Sequence, residues 1–233
     1  TVESAELHFE AQARLGVALA RQGNIDQARA HLHNLVAKTE AQKVQLALAE
    51  EQLLRDVKQY TEAFDVLTRV LGELPDNADL LYARALVAEK LNRIEVAEKD
   101  LRRILKKDPK NANALNALGY TLADRTSRYI EALSFIEQAL ALKPDDPFIL
   151  DSLGWVYFRM NRLEEAETAL RQALGRISTD PTVYDHLGDV YVKQGRIKDA
   201  IVQWELSLKH WETGPQSEMD PAEVAKINRK LEG

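Results

Sequence analysis

Apolar residues along this chain recur at three- and four-residue intervals rather than in alternation. Around position 150, Leu150, Leu153, Gly154 and Tyr157 fall on one face of a helix. Met160-Asn161-Arg162 interrupts the run, and Ala166, Leu170, Ala173 and Leu174 then fall on one face of a second helix. No segment sustains a two-residue period, so the pattern predicts helices and no strands.

The phrase holding this helix pair returns along the chain. Gly119, Gly154 and Gly188 occupy the same place in Ala117-Leu118-Gly119-Tyr120, Ser152-Leu153-Gly154-Trp155 and His186-Leu187-Gly188-Asp189, at spacings of 35 and 34 residues. The same step backwards reaches Ala85, Glu51 and Gly16, so a small residue, which lets a second helix approach closely, stands at every anchor but Glu51. Twelve residues beyond the anchors an Ala recurs, at Ala28, Ala63, Ala97, Ala132 (one residue late), Ala166 and Ala200. Four residues further a larger apolar residue recurs, at Leu32, Leu67, Leu101, Ile136, Leu170 and Trp204.

Pro75, Pro109 and Pro144 stop the second helices. Asp146-Pro147, Asp180-Pro181 and Asp220-Pro221 each place a capping carboxylate before a proline at the first helical position, and Asp220 with Glu223 makes a capping-box-like pair. The units run over about 9–43, 44–77, 78–111, 112–146, 147–180 and 181–214. Segment 221–232 has Val224, Ala225, Ile227 and Leu231 on one side and Lys226, Arg229 and Lys230 on the other. It is expected to be a closing helix over the last unit's apolar flank.

These residues resemble the tetratricopeptide repeat pattern, most fully where Tyr184, Leu187, Gly188, Tyr191, Ala200 and Trp204 follow one another. The resemblance covers residues 9–214. It implies an all-α, right-handed α-solenoid of about six helix pairs plus a C-terminal capping helix, in one domain over 1–233. It also implies that the first helices line a concave face on which a protein or peptide partner is held. The family's groove positions select Tyr82, Asn113, Asn116, Tyr120, Asp124, Phe148, Asp151, Trp155, Phe158, Arg159, Asp185, Asp189 and Lys193. Aromatic rings give rigid contact area, and Asn serves both the N–H and the C=O of an extended backbone. Packing between repeats is the competing role for Phe148, Phe158, Tyr120 and Trp155. The Lys–Asn set with which one subclass clamps chaperone C-termini is replaced here by Asn116 and Tyr120, or Asp151 and Trp155.

Residues 113–126 with their one-residue insertion, followed by Pro144-Asp145-Asp146-Pro147 and Asp151-Ser152-Leu153-Gly154-Trp155, resemble bacterial tetratricopeptide outer-membrane lipoproteins. Among these is the adaptor of a periplasmic C-terminal processing protease. This resemblance covers about 111–212 and implies the periplasmic side of the outer membrane. A cytoplasmic regulator, or a helical accessory domain of a larger enzyme, remains open from the residues alone. The functional weight is expected in units four to six, with units one to three as structural extension.

Composition narrows the chemistry. Hydrophobic residues make up 45% and charged residues 29%, as in a folded protein, and the net charge of -6 gives phosphate backbones no electrostatic reason to bind. The cluster Lys99, Arg102, Arg103, Lys106, Lys107 and Lys110 is expected on a solvated face near a helix C-terminus. No apolar run is long enough for a membrane span. Absence of cysteine removes disulfides, thiolate metal sites and cysteine nucleophiles without fixing a compartment. His31 and His33, two residues apart, point to different helix faces and form no metal pair. With no phosphate loop and no spaced nucleophile–base pair, no catalytic residue, metal or cofactor is expected. The chain starts at Thr1 without an initiator Met and is expected to be a piece of a longer protein.

Overall fold

The computed structural model describes residues 2–215 and 219–232, and all regular structure among them is helical. Thirteen helices follow in chain order: α1 (Val2–Arg21), α2 (Ile25–His33), α3 (Glu40–Asp56), α4 (Tyr60–Glu73), α5 (Ala78–Lys90), α6 (Ile94–Lys107), α7 (Ala112–Arg125), α8 (Tyr129–Leu142), α9 (Pro147–Arg159), α10 (Leu163–Arg176), α11 (Pro181–Lys193), α12 (Ile197–Thr213) and α13 (Pro221–Glu232). They make an α-solenoid that divides into two compact units, Thr1–Pro109 and Lys110–Gly233. Within each unit, every helix packs only on its nearest and next-nearest neighbours in sequence.

Helix starts follow local chemistry. Asp146 and Asp180 each accept backbone N–H bonds from the two residues after the proline, Phe148 and Ile149 or Thr182 and Val183. Asp220 accepts from Ala222 N at 3.1 Å, whereas Glu223 contacts Lys226 rather than turning back to close a capping box. Thr39, Asn77 and Asn111 cap α3, α5 and α7 in the same way without a proline. With Thr39 as its cap, α3 begins at Glu40, four residues before the expected start of the second repeat.

The second helices start differently. Lys58, Asn92 and Asn161 take positive φ just before them, as do Gly23 and Gly195. The turn before α8 has no left-handed residue. There the inserted residue lengthens α7, Thr126 Oγ1 donates to the Leu122 carbonyl at 2.5 Å, and the same oxygen accepts from Arg128 N at 3.1 Å. A side-chain turn thus replaces a strained backbone one.

The small anchors are steric. A Cβ at Gly119 would lie 2.5 Å from Ile136 Cγ1 and 2.9 Å from the Ala132 carbonyl oxygen, and one at Gly154 would lie 2.5 Å from Leu170 Cγ. The recurring Ala and large apolar residue are therefore the surfaces against which each first helix closes. Ala28, Ala63, Ala97, Ala132, Ala166 and Ala200 are all fully buried. Glu51 at the odd anchor is buried as well, and burial, with Asp56, outweighs Arg55 to raise its carboxyl pKa.

Unit 1 also buries Asp100, held by Arg84 through two bonds of 2.7 and 2.8 Å. Paired this way the charge is tolerated; alone it would be costly. His31 and His33 go to separate partners, the Gln12 carbonyl and Glu50. In the basic cluster, Arg102 pairs with Glu98 and Arg103 and Lys107 with Asp76.

Candidate functional site

The groove residues expected from sequence divide between the units. Tyr82 belongs to unit 1, half-buried on α5, where burial raises its phenol pKa. The other twelve stand on α7, α9 and α11 of unit 2.

Eight of these are brought together, six through Trp155 and His186 and two through Lys230. Trp155 Nε1 donates to Asp124 Oδ1 at 3.1 Å, and Arg159 Nη1 donates to the Asp124 carbonyl at 2.8 Å. Arg159 also donates to Tyr129 Oη at 3.3 Å and lies over that ring. The Trp155 indole stacks between Phe158 (centroids 5.0 Å apart) and His186 (4.2 Å), and Lys193 Nζ sits 5.0 Å from the Phe158 centroid. His186 Nδ1 is 2.8 Å from Asp151 Oδ1, wholly inside the protein. Asp185 and Asp189 flank His186 along α11, and Lys230 Nζ bridges them at 2.6 Å from each, while Lys226 Nζ is 3.5 Å from Asp185.

Burial changes what several of these residues can do. Trp155 is only 9% exposed and Asp185 only 3%, so both are floor rather than open contact surface. Helical projection placed them in the groove because it marks direction and not depth. Asp151, expected to line the groove, is also buried. Likewise Lys226 and Lys230, expected on the outer side of the closing helix, reach inward to α11. His186 and Tyr129 join the site without having been singled out. The signal for His186 was available, since it lies 35 residues from Asp151, one repeat length.

Electrostatics follow from this packing. Burial by itself would depress the His186 pKa, but Asp151, Asp185 and Asp189 together outweigh it and raise the value. Burial and Asp185 raise the carboxyl pKa of Asp189 despite Lys230. Lys226 is likewise raised, its loss of hydration being outweighed by Asp185 and Glu223.

Several residues expected in the groove are more accessible. Phe148 is 56% exposed at the start of α9, Lys193 is exposed, and Tyr120 is half-buried. Asn113 Oδ1 accepts from Lys143 Nζ at 2.9 Å. Asn116, one turn further along α7, has a buried Oδ1 with no hydrogen-bond partner. Such an orphaned amide oxygen is uncommon in a folded interior. Among the described residues, no three His, Asp or Glu side chains are gathered as a metal site, and no helix is long and apolar enough to cross a membrane.

The profile of the tetratricopeptide repeat family matches residues 13–78, 82–147 and 152–218. A TPR repeat-containing protein of Pseudomonas aeruginosa is 44% identical over 153 residues, which is 66% of this chain and 26% of that protein. Bacteriophage adsorption protein A of Escherichia coli is 32% identical over 99 residues, 42% of this chain and 10% of that one. The chain thus spans about a quarter or less of these relatives. Among solved structures, a thermophilic TPR protein of Thermus thermophilus superposes with a TM-score of 0.66 at 21% identity, covering 82% of this chain and all of the other. MamA of Desulfovibrio magneticus gives 0.57 at 21% identity, covering 73% and 96%. Matched over most of its length by the family profile, this chain belongs to the tetratricopeptide repeat family.

Proposed function

We propose that the chain is a non-catalytic adaptor whose α7–α9–α11 face holds an extended segment of a partner protein. The observation that carries this reading is Asn116. Its orphaned Oδ1 lies on α7 one turn before Tyr120, and leaving a buried acceptor unpaired costs about 1–3 kcal/mol. A bound segment that uncovers this oxygen and donates a backbone N–H to it would recover that cost at the moment of binding. The floor beneath is rigid, since Asp124, Trp155, Phe158 and Arg159 hold one another, so little entropy is lost on engagement.

An envelope setting, as part of a bacterial tetratricopeptide lipoprotein, accords with the phrases at 113–126 and 144–155. The likeness to a protein named for bacteriophage adsorption is in keeping with it. Fractionating cells that express the full-length protein tests the setting separately.

The partner reading is tested by photo-crosslinking. A benzophenone side chain at Phe148 or Tyr120 should crosslink to a partner polypeptide in native cells, and one at Lys106 should not. Asn116→Leu should weaken the Phe148 crosslink by about tenfold. Equal crosslinking from Lys106, or crosslinking indifferent to Asn116→Leu, refutes the assignment of this face.

A further inference from the structure

The carboxylates Asp185 and Asp189 occupy groove positions of the last repeat, yet both are already neutralised by the chain itself. Lys226 and Lys230, four residues apart on α13, stand one above the other and meet the two Asp residues one turn apart on α11. Lys230 Nζ also lies 5.5 Å from the Trp204 ring, and Ile227 between the lysines is only 1% exposed. Two cations at helical spacing, with an aliphatic residue between them, meet two carboxylates and an aromatic floor.

We propose that this surface is a docking site for a cationic helix of a partner protein, and that α13 is its displaceable internal occupant. The small size of the α13 contact supports displacement. Ile227 is the one fully buried residue of α13, entering the apolar cluster of α11 and α12 with Leu231 partly buried against it, and the helix packs mainly on α12 and reaches the α11 carboxylates through Lys226 and Lys230. By contrast α11 buries seven residues. Charge complementarity specifies the competitor: Asp185 and Asp189 with α13 absent leave two neighbouring carboxylates that accept Lys or Arg at i and i+4 and reject acidic helices. Tethering gives α13 an effective concentration of about millimolar order, so a free peptide competes poorly with it, and a partner holding further contacts in the groove competes well. The site rests on α11, α12 and α13, away from α7, so failure of the Asn116 reading leaves it standing.

The test uses the full chain and a labelled, end-capped peptide carrying the α13 sequence, residues 221–232. With Lys226→Ala and Lys230→Ala together, the peptide should bind at least about tenfold more tightly than to the unaltered chain, the tether having lost its charged contacts. Adding Asp185→Asn and Asp189→Asn should return binding to the unaltered level, and raising salt should weaken it. A peptide with both lysines replaced by Glu should not bind. Circular dichroism confirms that each variant retains its helices, and Lys226→Arg with Lys230→Arg, which keeps both charges, should behave as the unaltered chain. If the doubly neutral variant keeps its helicity but binds the peptide no better than the unaltered chain, α13 is a fixed cap and the proposal falls. Light scattering that finds the unaltered chain dimeric, with the dimer abolished by the Asp185→Asn and Asp189→Asn pair, would assign the site to a second copy and overturn it equally.

Discussion

Replacing Asn116 by Leu separates a binding residue from a structural one. The substitution removes a buried acceptor that has no partner, relieving about 1–3 kcal/mol. Leu also favours helix over Asn by roughly 0.5 kcal/mol, whereas its extra volume at this half-buried site costs about 1 kcal/mol. The net expectation is stabilisation of about 1–2 kcal/mol. For a unit of the size of Lys110–Gly233 that corresponds to a rise in Tm of roughly 3–8 °C. Calorimetric melting of the full chain reads it, the transition of unit 2 being tracked by Trp155, Trp204 and Trp211 fluorescence. Capture of the partner segment should fall by about tenfold in the same variant, the worth of one hydrogen bond. A residue that costs stability and supplies affinity is what a binding role requires. If Leu lowers Tm and leaves capture unchanged, the oxygen is satisfied within the fold and the reasoning fails.

Glycine substitutions should divide by what surrounds them. Gly119→Ala meets the backbone oxygen of Ala132 at 2.9 Å as well as Ile136 and should cost about 2–3 kcal/mol, more than Gly154→Ala, where the backbone oxygen of Ala166 is 3.3 Å away and Leu170 is the close contact. Gly175→Ala meets nothing within 4 Å and should stabilise by about 0.5–1 kcal/mol; denaturant midpoints measure all three. The raised pKa of His186 means that the folded state binds its proton more tightly than the unfolded chain does. Its contribution is therefore complete below the ordinary imidazole value of about 6.5 and is lost as pH rises through the raised one, so thermal stability should fall on the alkaline side. His186→Gln should flatten that fall, and an unchanged profile would exclude the Asp151 pairing as its source. Trp155→Ala should destabilise unit 2 by about 3–5 kcal/mol, because the indole is buried, so it cannot serve as a silent binding variant; a melt within 2 °C of the unaltered chain would contradict the packing.

What could be seen in the sequence was what local sterics impose. Gly119, Gly154 and Gly188 recur because a Cβ has no room there, and Asp146-Pro147 and Asp180-Pro181 recur because helix N-termini need acceptors. Asn77 and Asn111 perform the same capping, but without a following proline they carried no mark distinguishing them from groove asparagines. Depth within the site was hidden for another reason. Helical periodicity gives the direction of Asp185 and Trp155 but not what covers them, and the cover for Asp185 comes from lysines 41 and 45 residues away. The pairing of Asp151 with His186 joins two repeats at one repeat length, so only a comparison between repeats, rather than within one, would have exposed it.

Packing restricted to nearest and next-nearest helices has a kinetic consequence within each unit. No helix must wait for a distant stretch of chain before it can begin to bury its apolar face, so loop-closure entropy is low at every step and folding should be fast for the length. The same locality makes cooperation between repeats a property of their shared surfaces rather than of the whole. A helix pair at the end of a unit can then open while its neighbours stay closed, and hydrogen exchange should register the Lys110–Gly233 unit as a graded series from its C-terminal helices inward.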